Sequence, residues 1–162
     1  MRVLGFDPGD VNFAWATYDD KPLDYGYVIT NDVGESNLHF LNSIVDIIHK
    51  TKPDCIVIER YMFRGAQSVH AEPVNQMIGQ VMLLAQLKRV PIVQITAAQW
   101  KIKLKTKSYT NGARGLFPDT KFHSVHQADA CGMAMYHYDR LTEVKPAKKV
   151  KKAASKSQPS GD

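Results

Sequence analysis

Three acids and one histidine occupy positions where a charge needs a partner. Asp7 ends the apolar run Val3-Leu4-Gly5-Phe6 and is followed at once by Pro8-Gly9. Glu59 ends a second apolar run, Cys55-Ile56-Val57-Ile58. His126 and Asp129 open a helical stretch three residues apart, a spacing that puts both on one face. A carboxylate at the end of a buried strand is unfavourable unless a cation, a metal or hydrogen bonds receive it. If the four converge, three carboxylates repel, so some must protonate or a cation must bind. Hard oxygen ligands of this kind suit magnesium or manganese. Two such ions about 3.5–4 Å apart can activate water and stabilise the leaving oxygen in phosphodiester hydrolysis. Each residue also has an ordinary reading. Asp7 could open a turn before Pro8, Glu59 could be an exposed salt-bridge partner, Asp129 a helix-surface acid and His126 a structural histidine. The four together argue more strongly than any one.

The elements that must position them follow from apolar spacing. Residues 2–7 read as a central strand stopped by Pro8-Gly9. Residues 12–18 and 23–29 read as two further strands joined by the turn sequence Tyr18-Asp19-Asp20-Lys21-Pro22, a hairpin. A helix capped by Ser36 or Asn37 runs to about His49, with Leu38, Leu41, Ile44, Val45 and Ile48 on one face. Residues 54–59 form a short, nearly continuous apolar run, the pattern of a strand covered on both faces and parallel to the first. Residues 73–89 form a second helix, its stripe made by Val74, Met77, Ile78, Val81, Leu84 and Ala85. Met82, Leu83 and Leu87 lie outside that stripe, which fits either a second subunit or a thicker core. Residues 91–96 are a fifth strand, residues 97–101 a helical turn, and Lys101, Lys103, Lys105 and Lys107 lie on a basic loop or extended edge. Ser124 and Gln127 match a capping box at the start of a last helix that runs to about Arg140. The small residues Ala128, Ala130, Gly132 and Ala134 would let it approach the sheet closely. The expected class is α/β, a mixed five-stranded sheet flanked by helices.

The chain of 162 residues suits one domain, expected over residues 1–144, with a basic tail over 145–162 that should be disordered. The net charge of +5 is uneven: residues 1–59 carry four basic and ten acidic groups, residues 60–144 eleven and five, and the tail six lysines against one aspartate. Such asymmetry hints at a polyanionic partner. No apolar run approaches the roughly 20 residues of a membrane span. The N-terminus has no signal-peptide pattern, so a soluble, cytoplasmic protein is expected. Cys55 and Cys131 have no Cys or His at zinc-ligand spacing and should be buried reduced thiols.

At these residues the sequence resembles the RuvC-type Holliday junction resolvases of the ribonuclease H-like superfamily. The matching motifs are Leu4-Gly5-Phe6-Asp7-Pro8-Gly9, Ile58-Glu59 and His126-Gln127-Ala128-Asp129-Ala130, continuing through Met135-Tyr136-His137, in the family's order over roughly residues 2–140. Gln99-Trp100-Lys101 is similar to the family's segment after the fifth strand. The resemblance implies a ribonuclease H-like fold and a metal-dependent homodimer that cuts four-way DNA junctions with paired nicks. It maps the active-site positions onto Asp7, Glu59, His126 and Asp129, which with the carboxylate chemistry above gives magnesium, or manganese, as the expected metal, two ions per site. It makes the second helix the dimer contact and Lys101 a basic position, with Lys105 or Lys107 as a second. It asks for an aromatic residue after the glutamate to stack on an unpaired base, for which Tyr61 and Phe63 are the candidates. Arg60, Arg64, Lys101, Lys103, Lys105 and Lys107 would grip backbone phosphates, and the lysine-rich tail would add salt-sensitive affinity.

Other classes remain to be weighed. A junction-binding protein without catalysis would use the same basic surface but has no need of the carboxylates. A relaxed nuclease would also cut forks and flaps. A sugar-kinase or actin-like ATPase shares a Gly-x-Asp-x-Gly strand-turn but needs two such domains, for which this chain is too short.

Overall fold

The computed structural model describes residues 1–9, 11–30, 36–61, 68–106 and 112–143. Five strands, β1 (Val3–Asp7), β2 (Asn12–Tyr18), β3 (Pro22–Ile29), β4 (Cys55–Glu59) and β5 (Ile92–Ile95), form one sheet in the order β3-β2-β1-β4-β5. β1 runs antiparallel to β2 and parallel to β4, and β4 is parallel to β5. The helices are α1 (Ser36–Thr51), α2 (Ser68–Leu87), α3 (Ala97–Lys103) and α4 (Val125–Thr142), with a 3-10 turn at Gly112–Leu116 before α4. This is the mixed five-stranded sheet that the apolar spacing predicts.

β1 is central and every residue of it is buried. Because successive side chains on a strand point to opposite faces, β1 serves two cores. Leu4 and Phe6 face a layer made with Phe13, Phe40, Ile44, Ile56, Ile58, Val74, Ile78 and Val81, which seats α1 and α2. Val3 joins Ala16, Val57, Trp100, Ala130, Met133 and Ala134 on the other face, which seats α4. Gly5 lies on that second face. A Cβ there would fall on the carbonyl oxygen of Ala130 and within 3.3 Å of Ala134 Cβ. The missing side chain therefore lets the α4 backbone rest on β1, and this close approach carries His126 and Asp129 to the end of the strand.

Three element readings are corrected. α1 buries Phe40, Ile44, Ile47 and Ile48, while Leu38, expected in the stripe, is exposed. Phe40 turns the helix by packing edge-on against Phe13, with ring centroids 5.0 Å apart. α2 begins at Ser68 rather than at Pro73, so the proline lies inside the helix. It gives up a single backbone donor early in a 20-residue helix that the core holds along its length. Lys101 and Lys103 lie on α3, not on a loop or an extended edge. Thr96 and Gln99 cap α3 with the same reciprocal box that Ser124 and Gln127 make on α4. Cys55 and Cys131 are free and buried, as expected. Among the described residues no helix is long and apolar enough to cross a membrane. The expected tail, residues 145–162, lies outside the described residues.

Candidate active site

The register of β1 on β4 pairs Phe6 with Ile58, so Asp7 and Glu59 leave neighbouring parallel strands at the same level. α4 crosses that edge and adds His126 and Asp129 from its first turn and a half. All four residues expected to converge do so, and each acid meets a donor. His126 Nδ1 lies 2.8 Å from Asp7 Oδ2. Trp100 Nε1 donates to Glu59 Oε2 at 3.1 Å. The Ala113 amide donates to Asp129 Oδ1 at 2.7 Å, and Lys101 Nζ lies 2.9 Å from Asp129 Oδ2.

The electrostatics are those of crowded anions. Burial pushes the Glu59 carboxyl up to about 7, and the Asp7 charge adds to this, while the Trp100 hydrogen bond and Lys101 oppose it. Burial also raises Asp7 above the usual carboxylate range, against the pull of His126. His126 is itself raised, chiefly by its hydrogen bond to Asp7. The Asp7–His126 pair therefore keeps a proton to higher pH than a free imidazole would. Burial would lower Lys101, but Asp129, Glu59 and Asp7 together hold it above its ordinary value. Two carboxyls raised chiefly by burial, beside an ammonium they hold charged, make a place where a further cation would be stabilised.

That place, with hard oxygen donors, fits a divalent cation. Among the described residues, however, no three His, Cys, Asp or Glu side chains stand ready to hold an ion as they are. Hydrogen bonds and the Lys101 ion pair occupy oxygens of all three acids. For the three acids to share an ion, their side chains would have to turn from these contacts.

The proposed DNA contacts divide. Arg60, directly after Glu59, is exposed, as are Lys103 at the end of α3 and Lys105 just beyond it. Lys101 faces inward onto Asp129 rather than outward. Tyr61 is half-buried and packs against the core beneath α1 and α2, a poorer place for stacking on a base. Phe63, Arg64 and Lys107 lie outside the described residues.

Two parts of the site were not assigned from sequence. Trp100 is fully buried, wedged where a Cβ on Gly132 would sit 3.0 Å from its ring, so the indole bridges α4 to Glu59. The Thr96-x-x-Gln99 capping box, legible in the sequence, marks where α3 starts and hence which way Trp100 can point. The 3-10 turn supplies the Ala113 amide through Gly112, whose φ of +48° is in the left-handed region. A lone Gly-Ala after a basic stretch carries no such signal.

No family model matches the chain. A curated relative, the crossover junction endodeoxyribonuclease RuvC of Borrelia turicatae (strain 91E135), is 30% identical over 154 residues, covering 85% of this chain and 95% of that one. The protein of the same name from Prochlorococcus marinus (strain MIT 9313) is 28% identical over 113 residues, 64% of this chain and 71% of its own. Among solved structures, T. thermophilus RuvC in complex with a Holliday junction substrate superposes with a TM-score of 0.74 at 22% identity, covering 88% of this chain and 96% of that one. That likeness establishes the ribonuclease H-like fold.

Proposed function

The chain belongs to the RuvC family of crossover junction endodeoxyribonucleases, and we propose from that premise that it resolves four-way DNA junctions by paired, metal-assisted nicks. The observation that carries this is the meeting of Asp7, Glu59 and Asp129 at one edge of the sheet, with His126 bonded to Asp7. A surface that only bound junctions would have no use for buried acids held at such cost.

Asp7, Glu59 and Asp129 would hold two magnesium or manganese ions, with His126 as a further ligand or as the group that positions the attacking water. When bound, such ions supply a water of lowered pKa and neutralise charge on the leaving oxygen. The chain's own groups do the rest. Trp100 orients Glu59, and the Ala113 amide orients Asp129. Asp7 keeps a proton on the His126 ring, which can be passed to or from a reacting oxygen. Arg60, Lys103 and Lys105, with Arg64 and Lys107, would grip phosphates on either side of the cut. Tyr61 or Phe63 would serve at an unpaired base, Phe63 being favoured because Tyr61 is engaged in the core. Leu83 and Leu87 are 56% and 70% exposed on α2 and would form the contact of a homodimer, which pairs two sites across one junction.

The test is a nicking assay on a four-way junction with magnesium, read on denaturing gels beside forks and flaps. Symmetric paired nicks confined to the junction are expected, with loss of at least about a hundredfold in Asp7→Asn. Full activity in that variant would remove the metal-site assignment, and equal rates on forks and flaps would replace strict resolution by branched-DNA cleavage in general.

A further inference from the structure

Lys101 stands apart from the other basic residues. Its ammonium is 2.9 Å from Asp129 Oδ2, with the two side chains 28% and 7% exposed. It acts electrostatically on Asp7 and Glu59 as well as Asp129, so it sits amid the whole cluster. The Trp100 ring lies 5.0 Å from Nζ and flanks it. Trp100 is itself immobilised by burial and by Glu59, and α3 is fixed by its capping box. The base of Lys101 is therefore rigid, while its four-carbon stem can carry the charge elsewhere.

We propose that Lys101 is the resident cation of the metal-free site: it neutralises Asp129 until divalent ions enter, and is then released to a DNA phosphate at the mouth of the crevice. This rests on the metal-site reading above. The charge balance argues for the exchange. The three acids opposite Lys101 and a protonated His126 leave the cluster between singly negative and neutral, depending on the Glu59 proton, whereas the same carboxylates with two divalent ions are already positive. An ammonium held on Asp129 would then oppose the metal, while a phosphate arriving at the site would attract it. Metal and DNA would thus favour each other through one side chain, and the coupling must be reciprocal. A purely structural Lys101, a strut that aims Asp129, makes the opposite prediction, because its removal would misplace a ligand and weaken metal binding.

The experiment compares wild type with Lys101→Met, which keeps the stem and removes the charge. Calorimetric Mn2+ binding without DNA should tighten in the variant by roughly 5- to 150-fold, the usual range of a site-to-site coupling. Junction binding is then measured against salt in EDTA and in Ca2+. For wild type the slope of log K on log salt should steepen in Ca2+ by about one more phosphate contact than for the variant. Equal or weaker Mn2+ binding by Lys101→Met overturns the resident-cation role. Tighter Mn2+ binding with equal salt slopes overturns the transfer to phosphate. Failure of wild type to bind Mn2+ at all overturns the metal-site reading beneath both. The wild-type protein gives an independent reading that needs no variant: the Lys101 15Nζ signal should shift as Mg2+ is added, and a fixed signal at saturating metal refutes the release.

Discussion

Replacing Gly112 by alanine should damage the site without touching any charged residue. Gly112 has φ +48°, a conformation that costs an L-residue about 1–2 kcal/mol. An alanine Cβ would also fall on Asp129 Oδ1 and 3.1 Å from its Cγ. Either the 3-10 turn must move or Asp129 must move together with Val125, whose Cγ1 would lie 2.5 Å from the new Cβ, and the 2.7 Å bond from the Ala113 amide to Oδ1 is the contact that moves with them. A hydrogen bond to a charged group contributes roughly 1.5–3 kcal/mol. Allowing for relaxation, Gly112→Ala should lose about 2–4 kcal/mol of stability, which for a chain of this length lowers the melting temperature by roughly 5–15 °C. Cleavage should fall by roughly 10- to 100-fold if Asp129 is a metal ligand as proposed, because its carboxylate would be displaced. Gly115 provides the control three residues on: a Cβ there meets nothing within 4 Å, so Gly115→Ala should leave both stability and cleavage close to wild type. The clash can be isolated further with Asp129→Ala, since the double variant with Gly112→Ala should lose less than the two single losses combined. Thermal melts and junction nicking on wild type and the four variants decide the matter. If Gly112→Ala behaves as Gly115→Ala does, the placement of Asp129 against the turn is wrong.

Three further outcomes are expected. Trp100→Phe keeps most of the buried ring but removes the donor to Glu59; that bond lowers the Glu59 pKa, so the acid limb of the pH–rate profile should move to higher pH and the rate near neutrality should fall by roughly tenfold, whereas an unmoved limb would deny Trp100 its positioning role. In EDTA, stability should fall as pH rises from 5 to 8: Glu59 is raised from 4.5 to about 7 and His126 is also raised, so over this range the unfolded chain sheds protons that the folded chain keeps. For Glu59 the loss is at most about 3 kcal/mol, and thermal melts should show a flatter dependence in Glu59→Gln and on adding Mg2+. Finally, Leu83→Asp with Leu87→Asp should turn a dimer into a monomer in sedimentation while leaving the melting temperature of the folded chain within a few degrees, because both side chains are exposed on α2.

The sheet was legible because its constraint is simple. A strand buried on both faces must be apolar throughout, so residues 2–7 and 54–59 declare themselves, and the acid ending each declares the edge they share. α4 was legible through its capping box and its small residues. The face of α1 was not: Leu38 and Leu41 fit a helical stripe as well as Phe40 and Ile47 do, and the aromatic contact with Phe13 that chooses between them is 27 residues away in sequence. Pro73 reads as a helix start, a position where proline is favoured. Its interior position reflects packing along the rest of α2, which outweighs a local preference. Lys101 looked like its neighbours Lys103 and Lys105, since charge alone does not say which lysine a helix turns inward.

The same contrast separates the acids from what holds them. Asp7, Glu59 and Asp129 are visible in sequence because an acid in apolar company is anomalous. Their exact placement rests on groups that are not anomalous at all: a tryptophan, a backbone amide and two glycines. Gly5 lets α4 down onto β1, and Gly112 opens the space that Asp129 Oδ1 fills. Both act by lacking a side chain, so neither shows in any pattern of charge or hydropathy. A cluster of mutually repelling carboxylates has no tendency to assemble by itself. It forms here because neutral packing brings α4 and α3 to the strand ends, and because Lys101, His126, the Trp100 indole and the Ala113 amide share the charge once it is there. Arrival of divalent ions would then change which groups carry that compensation while leaving the framework in place.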